Sequence, residues 1–137
     1  MALIGAPLLT LLLPLAGAPA TADAPVARAA EASAKIHSTD GVLTKGCPGH
    51  RYRYAVDVPA GDSWSLELHL VNRKGRTVAF DYQVGGGDPT QGKARLQFCS
   101  LDMKPGRYQV RAELIWSHYS DEQTLWAKPR TIHLRRP

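Results

Sequence analysis

Tyr52-Arg53-Tyr54-Ala55-Val56-Asp57-Val58 alternates apolar with polar or small residues. It runs into Pro59-Ala60-Gly61-Asp62, and the alternation resumes as Trp64-Ser65-Leu66-Glu67-Leu68-His69-Leu70. In an extended chain successive side chains point to opposite faces, so a period of two places Tyr52, Tyr54, Val56 and Val58 on one face and Arg53, Ala55 and Asp57 on the other. The intervening Pro and Gly supply a hairpin or a sharp corner. Two half-buried strands follow from these residues alone.

The same period extends in both directions. Val78, Phe80, Tyr82 and Val84 form a third run between Asn72-Arg73-Lys74-Gly75 and Gly85-Gly86-Gly87-Asp88-Pro89; Ala94, Leu96 and Phe98 form a fourth. Tyr108, Val110, Ala112, Leu114 and Trp116, entered through Lys104-Pro105-Gly106, form the longest, and Thr131 to Leu134 the last. No segment carries a 3.6-residue apolar stripe. With a weaker strand near Ile36 to Thr44 this makes about seven short strands spaced roughly ten residues apart. Such a pattern predicts an all-β fold: an antiparallel two-sheet β-sandwich, immunoglobulin-like or jelly-roll-like. A small closed barrel is the alternative, since alternation alone does not separate the two.

Upstream, Leu8 to Leu15 is an apolar run of signal-peptide length, well short of the ~20 residues needed to span a bilayer. Ala20-Thr21-Ala22 supplies small residues for cleavage before Asp23, although Met1 to Pro7 carries no Lys or Arg. The expected organisation is a signal peptide over 1–22, an Ala-rich linker or arm over 23–40 and the sandwich over 41–137. Secretion is the expected localisation, with no membrane span in the mature chain. Cys47 and Cys99, the only two cysteines, are then expected to pair as a structural clip near the sandwich edge. Closing a loop of this length contributes about 4 kcal/mol in the chain-entropy model.

Two stretches, Tyr52 through Gly61 continuing into Trp64 to Leu70, and Pro105-Gly106-Arg107-Tyr108-Gln109-Val110, resemble the bacterial pre-peptidase C-terminal type of β-sandwich. There a strand ending in Val-Pro-Ala-Gly precedes a Gly-x-Tyr-x-Val strand. The second stretch is similar also to immunoglobulin-like and fibronectin type III-like modules. Val56 stands where the first family usually has an aromatic residue. The resemblance implies a secreted accessory or binding module.

Composition and motifs argue against several chemistries. A chain of 137 residues has room for one domain. The five histidines show no H-x-x-x-H or H-E-x-x-H spacing, no D-x-D-x-D-G loop is present, and no serine sits in G-x-S-x-G. Gly85-Gly86-Gly87-Asp88 leads into a strand rather than a helix and lacks G-K-[ST], so a flexible hairpin connection is expected rather than a phosphate cradle. Glu67 and His69 share a strand face but make only two ligands of a metal set. No cofactor, metal or catalytic residue is therefore expected, and no specific nucleic-acid motif occurs.

Two sets of residues stand out. Lys and Arg outnumber Asp and Glu by 17 to 12, for a net charge of +5, and Met1–Ala22 holds none of these charges. If Tyr52, Leu96 and Tyr108 point inward, Arg51, Arg53, Arg95, Arg107 and Arg111 point outward. In one sheet they would form a basic face for an anionic ligand; interspersed with Asp57, Asp102 and Glu113 they would merely keep the surface soluble. The segment from Trp116 to Trp126 offers His118, Tyr119 and Trp126 as a recognition loop, or as packing over the open end of the sandwich. The expected function is a non-enzymatic β-sandwich binding module acting at the cell surface or outside it. Its ligand would be an anionic polymer or carbohydrate, or its partner an extracellular protein. The alternative is a small proteinaceous inhibitor of an extracellular hydrolase.

Overall fold

A computed structural model of the chain describes residues 32–137. The expected signal peptide and the first part of the expected arm lie outside these residues. Nine strands are present among those described: β1 Ser33–His37, β2 Gly41–Val42, β3 His50–Asp57, β4 Ser63–Val71, β5 Thr77–Val84, β6 Gln91–Leu96, β7 Gly106–His118, β8 Asp121–Trp126 and β9 Arg130–Arg135. A short 3-10 turn, Ser100–Asp102, lies between β6 and β7.

The strands form two sheets, as the alternation predicts for a sandwich. The small sheet has the order β1-β3-β6 and is antiparallel throughout. The large sheet has the order β2-β9-β7-β4-β5. Within it the 13-residue β7 pairs with β4 along one side; on the other it serves β9 with Gly106–Val110 and β8 with Glu113–His118. Only the two-residue pairing of β2 with β9 is parallel.

Between the sheets, Ile36, Tyr52, Tyr54, Val56 and Leu96 meet Leu66, Leu68, Leu70, Val110, Leu114, Trp116 and Ile132, all buried. Truncating a fully enclosed leucine such as Leu68 to alanine costs about 2–5 kcal/mol, because transfer and cavity terms add. A polar bridge also crosses the core. The Tyr52 hydroxyl donates to Asp81 Oδ2 at 2.6 Å and accepts from Gln83 Nε2 at 3.0 Å. Cys47 and Cys99 are joined, linking the loop before β3 to the residue that precedes the 3-10 turn. Cys47 is exposed, so the bond clips the edge and does not pin the two sheets through the core.

Three sequence expectations change. The domain begins earlier than residue 41: β1 lies inside the expected arm, with Ala32 and Ile36 in the core. With Ile36 its only large apolar residue, that edge strand leaves almost no alternation to detect. Two short strands, β2 and β8, raise the count from seven to nine. Gly85–Thr90 does not close a hairpin, because β5 ends the large sheet and β6 ends the small one, so the chain crosses from layer to layer. A Cβ on Gly85 would meet the Trp64 indole at 2.5 Å, so that crossing presses against the core. On β5 the run Val78, Phe80, Tyr82 and Val84, which alternation placed on one face without deciding which, faces outward and is exposed, while the smaller Ala79 and the Gln83 amide turn inward.

Candidate functional site

The outer face of the small sheet is assembled by three strands of matching parity. On β3, burial of Tyr52, Tyr54 and Val56 obliges Arg51, Arg53, Ala55 and Asp57 to face out. On β6, burial of Leu96 turns Arg95 and Lys93 outward, and on β1, burial of Ile36 does the same for Lys35 and His37.

Register decides what these side chains meet. Arg51 lies directly opposite Arg95, and Arg53 directly opposite Lys93; on the other side His37 is opposite Arg53 and Lys35 opposite Ala55. Directly opposed residues on antiparallel strands bring their side chains within ~5.5 Å, and like charges placed so are destabilising. Among the described residues no carboxylate forms an ion pair with Arg51, Arg53, Lys93 or Arg95. The Arg95 guanidinium donates through Nη1 to the Pro48 carbonyl, which fixes it over the entry to β3. His37, Ser38, Arg51, Arg53 and Lys93 rim a shallow depression of about 310 Å³, and Arg51, Lys93 and Arg95 border a second of about 290 Å³.

Beneath this face His50 is buried, with Nε2 3.0 Å from the Ser38 hydroxyl. Burial pushes its pKa down; a hydrogen bond with the Thr39 backbone opposes this, and the Arg95 charge reinforces it. At neutral pH His50 therefore adds no charge to the face. The tyrosine rings of β3 point into the core, so the face offers cationic donors and, apart from the His37 imidazole, no exposed ring on which a base could stack. Its chemistry is the electrostatic, bidentate recognition of anions by guanidinium groups.

The five arginines singled out from sequence do not share one face. Arg51, Arg53 and Arg95 do, joined by Lys93, Lys35 and His37, which sequence reasoning missed although Lys93 has the same parity as Arg95. Arg107 and Arg111 lie on the outer face of the large sheet, because β7 belongs to that layer.

The segment from Trp116 to Trp126 is likewise divided. Trp116 is buried at 1 % exposure, and β7 and β8 form a hairpin whose tip carries Tyr119 at φ 54° and 94 % exposure. His118 Nδ1 is 2.7 Å from Asp62 Oδ1, and the His118 and Tyr119 rings meet edge-on at 4.5 Å. Trp126 is remote from that tip. It lies opposite Glu113, on the outer face of the large sheet.

On that face an aromatic row escaped sequence reasoning. The His69 ring is 5.1 Å from Phe80 and 6.2 Å from Trp126, Phe80 is 6.2 Å from Tyr82, and the Arg111 guanidinium stands 5.4 Å from the Trp126 ring centre. The spacing of Phe80 and Tyr82 put them on one face; only the sheet shows that this face is solvent. Glu67 and His69 approach to 3.9 Å, but among the described residues no group of three or more His, Cys, Asp or Glu is placed to hold a metal ion. No helix among the described residues is long and apolar enough to cross a membrane. Neither the known protein-family models nor the curated proteins contain a match to this chain.

Proposed function

We propose that this chain is an exported, non-enzymatic binding module that holds an anionic polymer on the outer face of its small sheet. The observation that carries the reading is the pair of directly opposed cations, Arg51 against Arg95 and Arg53 against Lys93. Each such pair costs stability, of the order of 0.2–1 kcal/mol. A merely soluble surface would intersperse acids, yet Glu113 belongs to the other sheet, and Asp57 sits at the far end of β3 beyond Ala55. An anionic ligand with repeated charges turns this repulsion into attraction and releases counterions as it binds. Export is supported by the apolar run Leu8 to Leu15 with its small-residue cleavage pattern, and by a disulfide suited to an oxidising compartment. The resemblance to pre-peptidase C-terminal-type and immunoglobulin-like modules supports an accessory or binding role.

Retention on heparin and on immobilised polyphosphate tests the proposal. Changing Arg53 and Lys93 together to serine should lower the salt needed for elution and reduce the slope of log affinity against log salt by about 2, whereas Arg107→Ser with Arg111→Ser should leave both close to wild type. Unchanged retention in the first double variant, or equal losses in both, overturns the single-face reading. Retention on polyphosphate without heparin, or the reverse, identifies the anion.

A second reading, a hydrolase inhibitor, draws on the exposed Tyr119 at the hairpin tip. Inhibition of secreted proteases or glycosidases that Tyr119→Ala abolishes would support it.

A further inference from the structure

The outer face of the large sheet lies on the other side of the sandwich from the basic face and differs from it in carrying exposed aromatic rings and glutamates beside its arginines. From its geometry we infer a second binding site, one that takes a single chain of a neutral polysaccharide across β8, β7, β4 and β5. Three large rings are open to solvent there: Trp126 at 54 %, Phe80 at 46 % and Tyr82 at 60 % exposure. They form a continuous row through His69. Each presents an apolar π surface that matches the C–H face of a pyranose ring.

The polar groups beside the rings decide among occupants. Glu67 and Glu113 lie directly opposite each other on β4 and β7, and Arg111 is directly opposite His69. Ionised carboxylates only accept hydrogen bonds, while Arg111 only donates. A hydroxyl donates and accepts, so a polyhydroxylic chain satisfies both kinds of group and leaves them in contact with water. A polyanion meets the two carboxylates unfavourably. A protein surface, including a second copy of this chain, would have to desolvate two directly opposed glutamates, of which Glu67 has the His69 ring at 3.9 Å; interface centres are depleted in Glu because burying such charges is costly.

The shape of the site follows the sheet. From β8 to β5 there are three strand spacings, ~14 Å, longer than one sugar ring, so the row suits an extended chain rather than a single sugar. Successive rings are inclined by 34° to 63°. A flat crystalline surface would need them coplanar; a soluble chain whose sugar faces turn along its length does not.

The experiment is affinity electrophoresis of the full mature chain through gels containing laminarin, hydroxyethyl cellulose, arabinoxylan, galactomannan or dextran. It is paired with tryptophan emission, in which a binding-induced shift arises at Trp126, the exposed indole, since Trp64 and Trp116 are buried. At least one of these neutral polymers should retard the wild type and shift its emission. Trp126→Ala and Tyr82→Ala should each weaken that association about tenfold, Trp126→Phe should retain most of it, and Arg53→Ser with Lys93→Ser should not affect it. If Trp126→Ala fails to fold, Tyr82→Ala alone carries the comparison. Absence of retardation by all five polymers overturns the inference, as does retardation that neither ring substitution changes. Sedimentation that reveals a dimer dispersed by Tyr82→Ala overturns it in favour of a second copy of the chain. Loss of heparin binding in the Arg53/Lys93 variant bears only on the basic face, so the two readings fail separately.

Discussion

The Tyr52 hydroxyl on β3 donates a hydrogen bond to Asp81 on β5 across 2.6 Å, tying the central strand of the small sheet to the edge strand of the large one. Gln83 completes the triangle, donating to both the Tyr52 oxygen and Asp81. Burial first, and then the Asp81 carboxylate, hold the Tyr52 hydroxyl well above the ordinary tyrosine pKa, so it stays a donor through the neutral range. Tyr52→Phe preserves the packing volume and removes the donor to a charged acceptor. The expected loss is about 1.5–3 kcal/mol in urea denaturation at pH 7. A midpoint within error of wild type would show that the bridge contributes nothing net.

Gly49 offers a backbone test of the same layer. It sits at φ 62° between the disulfide loop and β3, and a Cβ there would fall 2.2 Å from the Leu96 carbonyl oxygen. Both the left-handed conformation and the close approach to β6 exclude a side chain. Gly49→Ala should destabilise by more than about 1 kcal/mol, and part of that cost should appear as a changed amide environment along Gln91–Leu96 in NMR spectra. Loss of stability with those amides unchanged would assign the effect to backbone strain alone.

Fold class was legible because it rests on a period, and a period survives without knowledge of the partner strand. Tyr52, Leu66 and Val110 announce a buried face by simple alternation, and all three are in the core. What alternation does not encode is which side of the sheet is solvent. On β5 the larger apolar set, Val78 to Val84, turned out, because the opposite set supplies Asp81 and Gln83 to the buried tyrosine. Nor does it encode sheet membership: Arg95 and Arg111 have equal outward parity, yet strand order sends them to opposite faces of the molecule. The candidate sites depend on register and on layer, both of which are tertiary facts.

His50 gives stability a defined pH dependence. Its pKa is lowered in the fold, mainly by burial, so between pH 7.5 and 5 the unfolded chain takes up a proton that the folded chain resists. Stability from this group is present above the unfolded value near 6.5 and is lost as pH falls through the lower folded value. Asp40 is lowered too, chiefly by its hydrogen bond from the His133 backbone; its contribution is lost only below its ordinary value of 3.8, outside that window. The urea midpoint of the wild type should therefore fall between pH 7.5 and 5, and His50→Gln should flatten the fall. An unchanged slope in the variant would remove His50 as its source.

The opposed cations of the small sheet predict a conflict between stability and binding. Lys93→Glu converts the Arg53–Lys93 pair, like charges in direct register, into an attractive pair on the same two strands. Cross-strand charge pairs contribute about 0.2–1 kcal/mol, so reversing the sign should stabilise the domain by up to roughly 1 kcal/mol at low salt. The gain should shrink as salt screens the pair over the Debye length. The same variant should elute from heparin earlier than Lys93→Ser, since it places a negative charge within the path of the anion. Thermal unfolding at two salt concentrations, run beside the column, separates the effects. A variant that is both more stable and weaker in retention is the outcome expected of a face kept basic for a ligand, at some cost to the fold. A variant that gains stability and keeps its retention would mean that the cations of β3 and β6 serve solubility alone.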